Sequence, residues 1–316
     1  MKKSPILAAI ILVSLLASAC AQATPAGPVT LRFVTLPILE ALPLYVAQQE
    51  GLFEQYNLNV EIIPAGSAPE RDQIIRAAQA DGMINELLST IFYNQSSIEV
   101  QTVRYARAAT ATIPLFHILA SGQSGITTPE GLKGAEIGIS QGTVIEYLTD
   151  RLLQAEGFSA EEINGVAVPS ISDRMALLGS GSLSAAMLPD PLTYLAEQQG
   201  AVIVVDDTLL PEYSFSCMTF RKAYLDENPA AVRNFLAAIE QAVTLINADP
   251  SNWTSLLVEQ KLLPEPLASS YIINPYPTAG VPTQAQWDDV FTWATEKGLI
   301  SVSIAYADSV TGEYLP

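Results

Sequence analysis

Histidine is almost absent: the 316 residues contain one, His117. A single imidazole excludes a histidine-rich metal site and most triads built on a histidine base. Cysteine is nearly as scarce, with only Cys20 and Cys217, and this excludes a disulfide scaffold. Positive charge is short too, 15 Lys and Arg against 33 Asp and Glu, for a net charge of −18. Nucleic acid, whose phosphates demand Lys and Arg, is therefore not an expected partner. The chain has no P-loop, no dinucleotide-type glycine loop, no GxSxG motif and no metal-ligand spacing. No catalytic residue, cofactor or metal is expected. Apolar residues make up 49% of the chain, enough for a packed core, and the length suits two domains of about 100–200 residues each.

The N-terminus carries the one long apolar run. Met1-Lys2-Lys3 is a basic start, and Ile6 to Ala17 is apolar except for Ser14. That run is too short to cross a hydrocarbon core of about 30 Å, so residues 1–19 read as a signal peptide. Small residues then meet Cys20 as in a bacterial lipobox, with Ala17 where Leu is commoner. Cleavage before Cys20 and acylation of its sulfur would anchor the chain on the outer face of a membrane. An ordinary secretory signal cut after Ala19 is the alternative. Residues 20–29 then form the lipidated cysteine and a flexible tether, AQATPAGP. Cys217 lies in the apolar stretch Phe215–Phe220 and reads as a buried, inert thiol.

The body alternates strand and helix signals. Strands are expected near Leu31–Leu36, Asn59–Pro64, Gly82–Asn85, Ala135–Ile139, Val166–Val168 and Ala185–Leu188, with helical spacing between them. Ser67-Ala68-Pro69-Glu70 has the form of a capped helix start. The order of these signals repeats weakly in the second stretch, which points to two lobes on one βαβ plan with mostly parallel sheets. Glu99–Ser121 and Tyr213–Phe220 read as the strands that cross between lobes. In the C-terminal third, Val232, Phe235, Leu236, Ile239, Val243 and Ile246 recur at spacings of three and four, the mark of an amphipathic helix.

Ligands of open α/β sheets bind beyond the carboxyl ends of strands. That rule selects Leu36 and Pro37 after the first strand, Ser67 after the second, and Asn85 and Glu86 after the third. In the second lobe it selects Gln141, Gly142 and Thr143, at a helix start suited to a polar group, and Asp190 between two prolines. Glu86 can recognise an amine or ring N–H; it equally suits a helix-start acid that only complements the macrodipole. Ser140–Thr143 equally suits a plain N-cap loop, and Asp190 a proline-rich turn. Phe215 is among the aromatics able to stack on a flat ligand. Arg71, Arg104, Arg107 and Arg174 are candidate anion holders, though most are expected on solvated faces. His117 reads as a core or hinge histidine.

Several motifs together resemble the substrate-binding proteins of the nitrate/sulfonate/taurine-type ABC importers, a family shared with the thiamine-pyrimidine-precursor binders. They are LPLYVAQQEGLF at 42–53, LNVEI at 58–62, ADGMIN at 80–85, LKGAEIG at 132–138, and the stretch 181–191 leading to Asp190-Pro191. The match covers roughly residues 30–220. Asn85 and Ser184 stand where the family more often has Asp. The resemblance implies a type II periplasmic-binding-protein clamshell, with 30–116 plus 217–316 as one lobe and 117–216 as the other. It also implies an extracytoplasmic monomer that captures one small solute and delivers it to a permease and its ATPase. Open alternatives are a lipoprotein that senses a ligand for a receptor kinase and a pyrimidine-synthesis-like enzyme on the same fold. Few candidate cations and many aromatics favour a neutral or aromatic solute.

Overall fold

The computed structural model describes residues 27–316. The signal segment, Cys20 and most of the tether lie outside the described residues. Ten strands form two five-stranded mixed sheets. The first holds β1 (Val29–Thr35), β2 (Leu58–Pro64), β3 (Gly82–Asn85), β4 (Val100–Ala108) and β10 (Phe215–Arg221), in the order β2-β1-β3-β10-β4. The second holds β5 (Phe116–Ala120), β6 (Glu136–Ile139), β7 (Asn164–Ala167), β8 (Ala185–Pro189) and β9 (Val202–Asp206), in the order β7-β6-β8-β5-β9. In each sheet three parallel strands are followed by one antiparallel strand, β10 or β5, and beyond it a fifth strand that runs with the first three. The repeat visible in the sequence is therefore a repeat of topology. Its sheets are mixed, because the fourth strand of each sheet reaches it from the other lobe and runs backwards.

Segments 109–115 and 207–214 carry the chain between the sheets. Phe215 and Ser216, grouped with the second lobe in the sequence reading, pair with Ala108 and Arg107 in the first sheet. Phe116, grouped with the first lobe, pairs with Pro189 in the second. One buried carboxylate fastens the two crossings together. Asp207 accepts the N–H groups of Leu115 at 2.9 Å and Phe116 at 3.0 Å, and also the Ser214 hydroxyl. Its side chain is fully buried. Burial pushes its carboxyl up to about 6, against the pull of these three donors.

Helices cover the sheets where their apolar faces fall. Pro229–Ala248 buries Val232, Phe235, Leu236, Ile239, Val243 and Ile246, the residues spaced at three and four. Phe235 stacks on Phe33 and Phe53 and meets Phe220 edge-on, filling the first lobe's core. The helical spacing between the first two strands resolves into two helices, Leu42–Gln49 and Leu52–Gln55. Gly51 separates them at φ 63°, a conformation glycine takes without steric cost. The helix Gln284–Glu296 touches both lobes rather than the first alone. It packs on the helix Leu87–Tyr93, and its Asp289 and Trp293 bond Tyr147 and Asp150 of the second lobe at 2.7 and 3.0 Å.

Replacing Asp207 with Ala strands two buried N–H groups, each costing about 1–3 kcal/mol when unpaired. D207A is expected to lose about 2–5 kcal/mol in denaturant unfolding, with a Tm several degrees lower. S214A, which removes one donor and leaves both N–H groups paired, is expected to lose less.

Candidate functional site

The carboxyl ends of the six parallel strands face each other across the gap between the sheets. A cavity with about 620 Å³ of free space, mouth included, lies there. Leu36 enters it after β1, Ala68 after β2, and Asn85 and Glu86 after β3. From the other side come Ser140 after β6, Pro169 after β7, and Pro189 at the end of β8. Phe116 and Ser216 complete the wall at the amino ends of the antiparallel strands β5 and β10. Both lobes thus supply the lining, and most of it is apolar.

The polar groups are few and buried. In the first lobe, Asn85 donates its amide to Thr90 Oγ1 at 3.1 Å, and its Oδ1 has no protein partner. Glu86 caps the helix Leu87–Tyr93 by accepting Ser89 N–H at 2.7 Å, and it lies 3.6 Å from the Arg71 guanidinium. Burial raises the Glu86 carboxyl, with Arg71 opposing it. Glu40 comes from the short turn Leu39–Ala41 and is 3% exposed, with Oε2 unpartnered. Burial raises it too, opposed by Arg107.

In the second lobe, Arg174 is 1% exposed and bonds only carbonyls: Met187 at 3.0 Å, Val168 at 2.8 Å and Pro169 at 3.2 Å. Among the described residues no carboxylate lies within ion-pair reach of it, and burial pushes its guanidinium down to about 10. Ser140 Oγ is buried without a partner. Chemically, the cavity presents two free acceptor oxygens from one lobe, a hydroxyl from the other, and one guanidinium whose charge nothing nearby balances. Such a set suits a small solute with N–H donors at one end and an acceptor at the other.

Of the residues chosen from the sequence, Leu36, Asn85, Glu86 and Thr143 line this cavity. Ser67 instead caps the helix Ala68–Arg76, accepting Glu70 N–H at 3.4 Å. Pro37 faces a wider outer groove between the lobes. Gln141 is exposed. Gly142 is not an anion donor, because its N–H is taken by Glu146 Oε2 at 2.8 Å. Asp190 does not line the cavity; its Oδ2 takes Arg107 at 3.1 Å and the Tyr271 hydroxyl at 2.5 Å. Phe215 meets Tyr105 edge-on and does not stack in the cavity.

The arginines correct the sequence reading. Arg71, Arg104, Arg107 and Arg174 are all buried, none more than 4% exposed. Each guanidinium finds carboxylates or carbonyls inside the fold, a pairing that separation in sequence conceals. Glu40 was missed as a cavity residue, whereas Arg71 and Arg174, named as candidate anion holders, line the cavity. The signal for Glu40 was present: it is the only charge in an apolar stretch from Pro37 to Val46. His117 and Cys217 are buried in β5 and β10 and do not line the cavity. Burial depresses the imidazole and raises the thiol. Among the described residues, no group of three or more His, Cys, Asp or Glu is placed to hold a metal, and no helix is long and apolar enough to cross a membrane.

Known proteins share this arrangement. The alkanesulfonate-binding protein SsuA of Xanthomonas axonopodis pv. citri, solved with MOPS bound, superposes with a TM-score of 0.76 at 19% identity. The match covers 90% of this chain and 99% of that one. It shows a common periplasmic-binding-protein fold. A putative thiamine biosynthesis protein of Haemophilus influenzae is 25% identical over 221 residues, 69% of this chain and 68% of that protein. The 4-amino-5-hydroxymethyl-2-methylpyrimidine phosphate synthase THI11 of Saccharomyces cerevisiae is 24% identical over 225 residues, 66% of this chain and 64% of that protein. The family model described as NMT1/THI5 like matches residues 39–252, spanning strands of both sheets and every cavity residue except Leu36 and Ile38, and the chain belongs to that family.

Proposed function

We propose that the chain is an extracytoplasmic solute-binding protein of an ABC importer, anchored through acylated Cys20. It captures one small solute between its lobes and delivers it to a permease. The observation that carries this reading is the cavity itself. It is walled by strand ends from two sheets that exchange their fourth strands through segments 109–115 and 207–214. A solute touching both walls favours the state in which they are close, so binding drives closure about those segments. The ligand set Leu36, Pro37, Ser67, Asn85, Glu86, Gln141, Gly142, Thr143, Asp190 and Phe215 narrows on this reading to Leu36, Asn85, Glu86 and Thr143. Glu40, Ser140 and Arg174 join them. Monomeric action fits a cavity that one chain completes.

An enzyme is the second reading, favoured by the synthase named among the relatives. Against it, the only histidine and the only body cysteine lie outside the cavity lining. Glutamates and arginines are the titratable groups in the wall.

Thermal unfolding of the chain from residue 20 onward, with Cys20→Ser, tests the binding reading against pyrimidines, sulfonates, nitrate and taurine. A true solute at roughly 100-fold over its Kd should add about 2.7 kcal/mol of stability, and N85A should bind it more weakly. Turnover of a pyrimidine precursor by the purified chain would instead establish the enzyme. For the anchor, full-length protein is expected in the membrane fraction and the C20S chain in the soluble extracytoplasmic fraction. Equal partition of the two would remove the lipid.

A further inference from the structure

Glu40 belongs to an unbalanced buried cluster. The charged and titratable groups around it are Arg107 from β4, Asp190 beyond β8, and Tyr276 from the C-terminal third, with the Ser216 hydroxyl on β10. Arg107 is the single cation, and its Nη2 is already bonded to Asp190 Oδ2 at 3.1 Å. Asp190 Oδ2 also takes the Tyr271 hydroxyl, and the Tyr276 hydroxyl is spent on the Leu39 carbonyl at 2.5 Å. Two carboxylates therefore share one guanidinium. One oxygen of each, Glu40 Oε2 and Asp190 Oδ1, has no partner. Of these two residues only Glu40 lines the cavity. A buried carboxylate oxygen without a donor is costly, and a donor arriving from the cavity removes that cost. Nitrate, or a sulfonate without an amine, brings only acceptors and a like charge, so it meets Glu40 unfavourably.

We propose that Glu40 is the specificity-determining residue of the cleft: its Oε2 accepts an N–H of the solute. The site then takes amino- or ring-N–H-bearing solutes in preference to oxyanions. This deepens the solute-binding reading and rests on it. Arg107, whose charge acts on Glu40, is ion-paired with Asp190 of the facing lobe, so Glu40 sits where the lobes meet. Burial raises the Glu40 carboxyl, against the pull of Arg107 and of the Ser216 hydroxyl.

The test compares wild type with E40Q in the chain from residue 20 onward (Cys20→Ser), which keeps both sheets whole. Without solute, a carboxyl whose titration is raised by folding contributes stability at low pH that is lost as pH rises through its folded-state value. E40Q lacks that loss. Its Tm is expected to equal or exceed wild type at pH 8, with the gap growing as pH rises. An E40Q chain less stable at every pH would mean that the protein itself satisfies Glu40, and would overturn the proposal. With solute, calorimetry uses 4-amino-5-hydroxymethyl-2-methylpyrimidine and ethanesulfonate as probes. Wild type is expected to prefer the aminopyrimidine, and E40Q to lose about tenfold or more for it and little for ethanesulfonate. Preference for ethanesulfonate, or full aminopyrimidine affinity in E40Q, overturns the role of Glu40 and leaves solute capture standing. If neither probe binds, the stability comparison decides alone.

Discussion

Asp207 holds the place through which the two lobes communicate. The chain leaves the first sheet after β4, enters the second at Phe116, and returns after β9. Asp207 binds the end of the outward crossing through two N–H groups and the end of the return crossing through Ser214. The crossings cannot pair as a regular ladder there, because they diverge into different sheets, so a side chain supplies the acceptors the backbone lacks. Burial works against that carboxylate, and three donors offset part of the penalty. The cavity inherits its shape from this point, since β5 and β10 start beside it with Phe116 and Ser216 in the wall.

The exchanged strands explain why the cleft is polar in so few places. Six parallel strand ends bring short loops and helix starts to one gap, and those loops satisfy most of their own groups. Gly142 is silenced by Glu146, and Glu86 spends one oxygen on the N-terminus of its helix. What remains open is Glu40 and Asn85 on one wall and Ser140 and Arg174 on the other. In a mostly apolar cavity these few groups carry the selectivity, because each is costly to leave unpaired. Arg107 and Asp190 form a second polar contact between the lobes, beside the cavity rather than in it.

Much of this organisation was legible in the sequence. Alternating strand and helix signals, the faint internal repeat and the strand-end rule pointed to two lobes and to the right edge of each sheet. Leu36, Asn85, Glu86 and Thr143, which they selected, line the cavity. They misjudged Gly142 because an N–H at a helix start looks free until Glu146 folds back on it from the next turn. The arginines were misread for a related reason. Arg107 and Asp190 are separated by 83 residues, and nothing in either local stretch announces the other. Glu40 was legible as an anomaly, a lone charge in an apolar run, but its purpose was not.

The sequence by itself determined the local elements, the apolar faces that pack and the doubling of one topological plan. These depend on periodicity and capping, which act within a few residues along the chain. Only the tertiary structure decided which strands are exchanged, which carboxylates find partners and which stay open toward the cleft. Those outcomes depend on burial and on distances between groups far apart in sequence. A charge is costly or harmless according to what folding places around it, and the order of residues does not record that.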